Sequence, residues 1–299
     1  MAKYILGRVG LMIPSLIGLV VLSFIMIRVL PADPAVALAG DNATPEQIAA
    51  LRVKYGFDKN IVEQFFIYIG QIARLDFGIS VYSQRPVALD LKDRLPATLE
   101  LTLFGLSLSV LIGIPAGIVA AVWHNRWPDF IIRIVSVAGI GVASFWFALL
   151  MQLVFVMDLR WLPLAGRLTT GMDAPPFVTG LFLIDSLLAG RLDIFGDAFQ
   201  HLILPGVTLS LAGIATISRF TRAGMLETLQ RDFITYERAA GYPERRITWL
   251  YALRPSVTTA ITQIGLLFGT LIAGGVVIET IFVWPGIGTY AMQAIFAAD

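Results

Sequence analysis

Five long apolar segments, almost free of charged residues, constrain the fold of this chain more than any other feature of its sequence. They cover residues 9–27, 98–122, 134–157, 202–218 and 257–278. A helix needs roughly 20 mostly apolar residues to cross a bilayer. Each segment therefore predicts a membrane span, and the fourth is at the short end of that range. We predict an all-α polytopic membrane protein with five spans in this sequence.

The composition agrees with a membrane protein and excludes several other classes. Hydrophobic residues make up 57% of the chain and charged residues 14%, whereas soluble domains carry roughly 25% charged residues. A net charge of +1 argues against nucleic acid as a partner. The chain has no cysteine, and its two histidines, His124 and His201, are far apart. We therefore predict no metal site and no cysteine nucleophile.

The N-terminal segment predicts a retained anchor rather than a cleaved signal peptide. Lys3 and Arg8 precede an apolar run that is longer than the roughly 7–15 residues of a signal peptide. Positive residues in short loops mark the cytoplasmic side of a membrane protein. Seven arginines against four acids lie between residues 219 and 254, after the fourth span. The N-terminus is therefore placed in the cytoplasm, and residues 1–29 form the N-terminal tail and the first span.

Residues 30–97 predict a small helical insertion on the external side. Thr44-Pro45-Glu46-Gln47 has the form of a capping box with proline at the first helical position, and Gly56 would end this helix. A second helix begins near Asn60. We expect its apolar face to pack on the membrane helices of the chain rather than on a docked partner. Residues 158–200 form a second external loop, which is irregular.

A polar segment between the fourth and fifth spans, residues 232–246, is suited to contact with another protein in water. It predicts two short helical pieces joined at a glycine. Asp232 caps the first piece, Gly241 ends it in a left-handed conformation, and Pro243 occupies the first turn of the second piece. An arginine-rich element of this kind in a membrane protein indicates a place where force or information is received.

The interiors of the spans hold almost no ionisable residues, and Gln152 and Gln263 are the clearest polar side chains there. We take these two as candidate residues lining a solute pathway. Charged groups inside membranes usually mark ion and proton routes, so their absence argues against transport driven by protons or sodium. No lysine follows a glycine as a phosphate-binding loop requires. The energy for uphill transport would therefore come from a partner ATPase.

Two other interpretations stay open at this stage. A self-contained secondary transporter or channel could bind sodium through backbone carbonyls. An intramembrane serine protease could use Ser107, in the short motif Gly105-Leu106-Ser107, with His201 as its base. Against the protease, His201 lies at the edge of one predicted helix and Ser107 lies well inside another.

Two pairs of glycines indicate places where helices approach each other closely. Gly113 and Gly117 lie in the second span, and Gly265 and Gly269 lie in the fifth. Small residues at this spacing allow helix backbones to pack together in membranes. These pairs predict packing within the chain, or a seam with a second membrane subunit.

Five short motifs run in order along the chain. They are Leu30-Pro31-Ala32-Asp33-Pro34-Ala35, Ala43-Thr44-Pro45-Glu46-Gln47-Ile48, Arg94-Leu95-Pro96-Ala97-Thr98-Leu99-Glu100-Leu101, His201-Leu202-Ile203-Leu204-Pro205 and Ile278-Glu279-Thr280-Ile281-Phe282-Val283-Trp284-Pro285-Gly286-Ile287-Gly288. In this order they resemble the inner-membrane permease subunits of ABC importers for dipeptides, oligopeptides and nickel. The resemblance implies the type I permease fold with six spans, the sixth expected after Asp299. Residues 98–299 would be the transmembrane core.

The resemblance also places the polar segment on the cytoplasmic coupling loop of the family, near residues 219–256. It implies docking into a groove of an ATPase subunit through a run of nine residues: Thr235, Tyr236, Glu237, Arg238, Ala239, Ala240, Gly241, Tyr242 and Pro243. The general pattern is Glu-Ala-Ala, three residues and Gly. Here the acid, Glu237, stands two places late, and Pro255 stands one place beyond the usual proline. Permeases of the peptide type commonly relax the first three positions.

The resemblance further implies that the chain is not an enzyme and has no catalytic residues, but forms half of a translocation pathway. It would bind no cofactor, since ATP and Mg²⁺ would sit on two partner ABC ATPase subunits. A second homologous permease and a periplasmic or lipid-anchored solute-binding protein would complete the system in the bacterial inner (plasma) membrane. The solute stays open among peptides, nickel chelates, glutathione, opines and oligosaccharides.

Overall fold

The computed structural model describes residues 2–29, 43–56, 58–80 and 82–297, in which helices are the regular elements apart from one isolated bridge, Ile79 to Pro86. The helices are α1 Ala2–Val29, α2 Pro45–Tyr55, α3 Ile61–Ala73, α4 Val87–Val122, α5 Trp127–Gly141, α6 Ser144–Met151, α7 Phe182–Leu188, α8 Leu192–Leu229, α9 Asp232–Ala239, α10 Glu244–Arg246, α11 Leu253–Ile281 and α12 Ile287–Phe296. The motif at residues 30–35 lies outside the described residues. The chain divides into two compact units, one drawn from Met1–Leu91 and Gln293–Asp299, the other Lys92–Met292.

Helix α2, in the first unit, begins and ends as the sequence predicts. The Gln47 N–H donates to the Thr44 side chain at 3.4 Å, and the Thr44 N–H donates to the Gln47 side chain at 2.9 Å. These two bonds form a capping box, with Pro45 at the first helical position. Gly56 ends the helix with φ of 71°, in the left-handed region. The prediction for α2 is confirmed.

Helix α3 also lies where it was expected, and one of its sides packs on α1. The side chain of Asn60 accepts the N–H of Val62 and caps the helix. The rings of Phe65 and Tyr68 lie 5.2 and 5.7 Å from the ring of Phe24 on α1. This side of α3 therefore packs within the chain, on α1, and the crossing of the membrane by α1 stays a prediction. Another set of apolar side chains on α3 is exposed: Ile61, Val62, Phe66 and Ile69.

Three helices of the described residues are long and apolar enough to cross a membrane: α4, α8 and residues 260–281 of α11. A fourth span results if α5 and α6 together count as one. Within α1 the apolar helical stretch is shorter than these spans and covers Gly10–Ile25. The number of five spans therefore stays a prediction. Helix α8, which contains the fourth predicted span, has 38 residues and so extends beyond the apolar segment 202–218 at both ends.

The third predicted span is broken rather than continuous, which corrects the sequence prediction. Helix α5 ends at Gly141, α6 begins at Ser144, and the two meet at an angle of 102°. Val142 and Ala143 between them have extended backbone, with ψ of 126° and 127°. Glycine and β-branched valine are weak helix formers, so the pair Gly141-Val142 favours an interruption here. After α6 the chain continues as a π-helix, Gln152–Asp158.

The close approach of α4 and α8 forms the centre of the second unit. A Cβ added at Gly117 would lie 2.6 Å from the carbonyl oxygen of Ser218. A Cβ at Gly113 would lie 2.9 Å from the Cβ of Ile217. This glycine pair therefore packs within the chain. By contrast, a Cβ at Gly265 or Gly269 would meet no atom of the described residues within 4 Å.

Candidate functional site

The polar segment at residues 232–246 is held in shape by a glycine cap after α9. Gly241 has φ of 81°, in the left-handed region. Its N–H donates to the carbonyl of Arg238 at 3.0 Å, and the N–H of Tyr242 donates to the carbonyl of Glu237 at 3.2 Å. These two bonds are the Schellman motif. The prediction that Gly241 ends the helix in this conformation is confirmed.

Each of the two short helices, α9 and α10, begins one residue away from its predicted position. Arg231 is the N-cap of α9 without a side-chain bond, and Asp232 is the first helical residue. An acid there still interacts favourably with the positive end of the helix. Pro243 caps α10 from outside rather than lying in its first turn. Helix α10 then continues through a π-helical turn, Ile247–Ala252, into α11, so the segment joins the membrane core without a loop.

The predicted docking residues form an exposed surface on a buried anchor. Glu237 is half-buried, and the other eight residues of the run 235–243 are exposed, Tyr236 by 71%. The side chain of Ile234 is fully buried in an apolar cluster with Ile118, Ala121, Met225, Ile247 and Ala252. Helix α9 is thus attached to α4, α8 and the π-helical turn, while its polar side chains remain available to a partner.

Side-chain contacts connect the two pieces of the segment across the glycine. The Nε of Arg238 donates to Glu244 at 2.8 Å. The guanidinium of Arg246 lies 4.8 Å over the ring of Tyr242. A shallow groove of about 380 Å³ follows on α10, lined by Pro243, Arg245, Arg246 and Trp249. An arginine-rich, shaped surface of this kind can receive another protein.

A buried ion pair ties α5 to α8 in the same half of the core. Asp129 is fully buried, and Arg222 donates to its two carboxylate oxygens at 2.6 and 2.9 Å. The N–H of Asn125 donates to the same carboxylate at 3.0 Å. His124 Nδ1 lies 3.1 Å from Arg222. The pair closes the turn between α4 and α5 against α8.

A second buried ion pair lies near the start of the core part of α4, at the end of the core opposite to Asp129 and Arg222. Arg167 donates to the carboxylate of Glu100 and, at 3.0 Å, to the carbonyl of Gly180, and its guanidinium stacks 3.5 Å over the ring of Phe182. Burial lowers the pKa of the Arg167 guanidinium, and the negative charge of Glu100 opposes this effect. Glu100 also accepts the N–H of Leu183 at 2.8 Å. The pair fixes the loop before α7 to the start of the core part of α4.

Hydrogen bonds join two of the sequence motifs near the start of the core part of α4. The hydroxyl of Thr98 donates to Glu279 at 2.6 Å and accepts the N–H of Ile287 at 2.8 Å. The indole N–H of Trp284 donates to the carbonyl of Ala97 at 2.8 Å. The motif at residues 94–101 and the motif at 278–288 therefore form one structural unit, which connects α4 to the turn after α11.

Asp185 organises the turn that precedes α7. Its carboxylate accepts the N–H groups of Val178, Thr179 and Gly180 at 3.2, 2.8 and 2.8 Å, and the Thr179 hydroxyl at 2.7 Å. Burial alone would raise the pKa of the Asp185 carboxyl, but these hydrogen bonds hold its pKa below the ordinary value. The charge of Asp185 within the mostly apolar residues 177–188 is thus explained by its role in this buried turn.

No hydrogen bond within the described residues joins the remaining sequence candidates to one another. Gln152 is half-buried and donates at 3.3 Å to the carbonyls of Leu164 and Ile281. Gln263 is half-buried on α11. His201 is buried, and its Nδ1 lies 2.9 Å from the carbonyl of Asp197 on its own helix. Ser107 is exposed on α4, and within the described residues it forms no hydrogen bond with His201.

Glu100 and Glu279 stand in two of the sequence motifs, but sequence reasoning missed their partners. Arg167 lies 67 residues from Glu100, and Thr98 lies 181 residues from Glu279. It also missed the pair of Asp129 with Arg222, 93 residues apart. A single sequence carries no signal for such pairings. Only the presence of acids at the edge of apolar segments marks them as residues that need a partner.

A helical fold with several apolar helices long enough to cross a membrane fits the class of a transport permease. Comparison with known families agrees. Residues 113–299 match the binding-protein-dependent transport system inner membrane component, and residues 1–102 match the N-terminal domain of the same membrane component. The chain belongs to this family. It is the permease subunit of an ABC importer of the dipeptide and oligopeptide type, a multi-pass protein of the inner membrane.

Full-length relatives support this assignment. The probable D,D-dipeptide transport system permease protein DdpB of Escherichia coli (strain K12) is 41% identical over 94% of this chain and 83% of its own length. The dipeptide transport system permease protein DppB of Alkalihalophilus pseudofirmus is 36% identical over 100% of this chain and 90% of its own. The glutathione transport system permease protein GsiC of Escherichia coli (strain K12) is 34% identical over 100% and 88%.

Replacing Arg167 with methionine should destabilise the protein strongly. The substitution keeps much of the side-chain volume but leaves the carboxylate of Glu100 buried without its cation, which costs about 3–5 kcal/mol. We expect a clear fall in the midpoint of thermal unfolding of the detergent-solubilised protein. Arg191→Met is the matched control, since Arg191 pairs with Asp193 on the surface and such pairs contribute little. Equal midpoints for the two variants would contradict the role of the buried pair.

Proposed function

We propose that this chain forms half of the translocation pathway through which an ATP-driven importer takes up short peptides. The proposal rests chiefly on the exposed, arginine-rich segment at residues 232–246, which is attached directly to a membrane core without charges at its centre. Relatives are named for transport of D,D-dipeptides, dipeptides and glutathione, which share peptide bonds and small size. A short peptide is the solute that these names have in common.

The segment at residues 235–243 is the element through which ATP hydrolysis drives the permease. Helix α9 inserts its exposed side into a groove of an ATPase subunit, and Tyr236 is its most prominent side chain. Since the Schellman cap and the pair Arg238–Glu244 connect α9 to α10, and α10 runs into α11, a displacement of the ATPase groove moves the core. ATP and Mg²⁺ are bound by the two partner ATPase subunits.

The topology that suits this function has the N-terminus in the cytoplasm. Residues 219–256, with their excess of arginine, then face the ATPase subunits, as the preference of positive loops for the cytoplasm requires. The insertion at residues 30–97 and the loop before α8 face the periplasm, where a solute-binding protein delivers the peptide.

The break between α5 and α6 contributes to the pathway. Val142 and Ala143 have extended backbone halfway along a membrane span, and Ala143, Ser144, Phe145 and Trp146 are exposed. Within the described residues, the N–H groups of Ser144, Phe145 and Trp146 have no acceptor. Lipid cannot satisfy such groups, so irregular backbone at this depth faces a water-filled cavity or protein. Gln152 and Gln263 supply further polar groups along the same path.

A second permease packs against the exposed small residues of α11. Gly265, Gly269 and Ala273 are spaced by four residues and are all exposed, so they lie on one side of the helix. No described atom would contact a Cβ at either glycine. Small residues permit close packing of membrane helices, and this side of α11 is therefore the seam of the permease pair.

Gly241→Val should uncouple ATP hydrolysis from peptide uptake. A β-branched residue is strained at φ of 81°, by about 1–2 kcal/mol, and the cap that orients α9 is lost. The measurement is uptake of a radiolabelled dipeptide by proteoliposomes that contain the complete complex, binding protein and ATP, with ATPase activity read in parallel. Gly190→Val is the control, since Gly190 is also left-handed, at φ of 68°, but precedes α8. Uptake that is equally preserved in both variants would contradict coupling, and uptake without ATPase subunits would overturn the proposed function.

Cysteine labelling can test whether the break lies in the pathway. The chain has no cysteine, so each introduced cysteine is the only one in this subunit. In the assembled complex, Ala143→Cys should react with a membrane-impermeant maleimide much faster than Val137→Cys, which is 72% exposed on the apolar side of α5. Uptake assays on both variants show that they are assembled. Equal reaction rates would remove the break from the pathway.

Gly269→Leu should separate the two permeases. Leucine is a better helix former than glycine by about 1 kcal/mol and has open space within this chain, so the subunit itself should insert normally. Its side chain would prevent close approach at the seam, and the second permease should no longer co-purify. Gly18→Leu in α1, where a Cβ also meets no described atom within 4 Å, is the matched control. Normal co-purification of Gly269→Leu would place the seam elsewhere.

A further inference from the structure

Two grooves of different character adjoin each other at the start of α5. The first, the head-group groove, has a volume of about 630 Å³ and is lined by Trp123, Asn125, Arg126, Trp127, Pro128, Phe130 and Arg133. The second, the acyl groove, has a volume of about 530 Å³ and is lined by Phe130, Arg133, Ile134, Val137 and Ala138. Phe130 and Arg133 line both grooves. A basic, aromatic groove thus continues into a mostly apolar groove on the surface of the same helix.

The head-group groove carries an excess of positive charge. Arg126 has no carboxylate partner within the described residues, and its guanidinium lies 5.8 Å over the ring of Trp123. Arg133 is 3.5 Å from Asp129, but that carboxylate is already bound at shorter distances by Arg222. Two arginines, Arg126 and Arg133, therefore line the groove with no acid among its lining residues, and a neighbouring anion would be attracted rather than repelled.

The position of the grooves relative to the bilayer follows from the helices that flank them. The second span, α4, ends at Val122, and α5 begins at Trp127, so the turn lies at a membrane–water interface in either orientation of the chain. Trp127 is 77% exposed there, as expected of tryptophan at the level of the lipid head groups. The acyl groove runs from this level along α5 past Ile134 and Val137, which are exposed apolar residues.

We propose that these grooves bind one anionic phospholipid. Its phosphate lies between Arg126 and Arg133, its glycerol backbone lies against Trp127, and one acyl chain follows Phe130, Ile134 and Val137. Arg126 and Trp127 lie at the start of α5, Arg133 extends the basic surface one to two turns further, and the exposed apolar residues Ile134 and Val137 follow. This matches a head group at the interface with an acyl chain running from it, and basic pockets at membrane helices bind anionic head groups. A bound lipid would support the turn from which Asp129 reaches Arg222.

The proposal is tested by native mass spectrometry of the purified complex, titrated with phosphatidylglycerol or with phosphatidylcholine of identical acyl chains. The wild-type complex should bind phosphatidylglycerol more tightly. Arg126→Gln combined with Arg133→Gln should weaken its binding by about 30-fold, about fivefold for each arginine. Binding of phosphatidylcholine should change little. Ala138→Phe, which fills the acyl groove without removing a charge, should weaken the binding of both lipids.

Matched controls distinguish a lipid site from a site for free phosphate and from a general effect of lost charge. Arg191→Gln removes an arginine from the loop before α8 and should bind both lipids as the wild type does. Glycerol phosphate, which has no acyl chain, should not displace the lipid, and displacement would indicate a site for free phosphate instead. Unchanged affinity for phosphatidylglycerol in the double arginine variant would overturn the proposal. If the double arginine variant does not assemble, Ala138→Phe provides the test. Unchanged binding of both lipids by Ala138→Phe would equally overturn the proposal.

Discussion

The close packing of α4 against α8 supports the rest of the membrane core. Lipid tails are as apolar as leucine, so membrane helices associate through tight packing and hydrogen bonds rather than through burial from water. Gly113 and Gly117 remove the side chains that would separate the two backbones, and the hydroxyl of Ser109 bridges to the carbonyl of Ser210 at 3.2 Å. Helices α5, α6 and α11 then pack on α8. The contact between α4 and α8 is therefore the support on which the other helices of the second unit pack.

The distribution of charge explains how such a core can serve transport without driving it. Two buried ion pairs lie near the ends of the core helices, Glu100 with Arg167 and Asp129 with Arg222, while buried Asp185 and Glu279 accept hydrogen bonds from N–H and hydroxyl groups. Removal of one partner from such a pair is far more costly than exchange of the whole pair for apolar residues. The pairs therefore specify which helix ends meet. Between these ends the described helices are poor in charged side chains, as the proposal of energy supplied by ATPase subunits expects.

Local signals in the sequence were sufficient for several elements. The capping box at Thr44 and the left-handed Gly241 depend only on residues within about one helical turn, and both were predicted correctly. Asp232 and Pro243 were each placed one position away: Arg231 is the N-cap of α9, and Pro243 is the N-cap of α10. The break after Gly141 was missed, since mean hydropathy measures how apolar a segment is and carries no information on whether its backbone stays helical.

The amino-acid sequence by itself determined the class of this protein. Its apolar segments require a membrane and its ordered motifs indicate the permease family, because each of these properties is encoded in adjacent residues. Only the tertiary structure decided the rest. It showed that Gly113 and Gly117 pack internally while Gly265 and Gly269 remain open, and that Glu100 pairs with Arg167. These facts depend on which helices meet, and that is settled by packing among residues far apart in the chain.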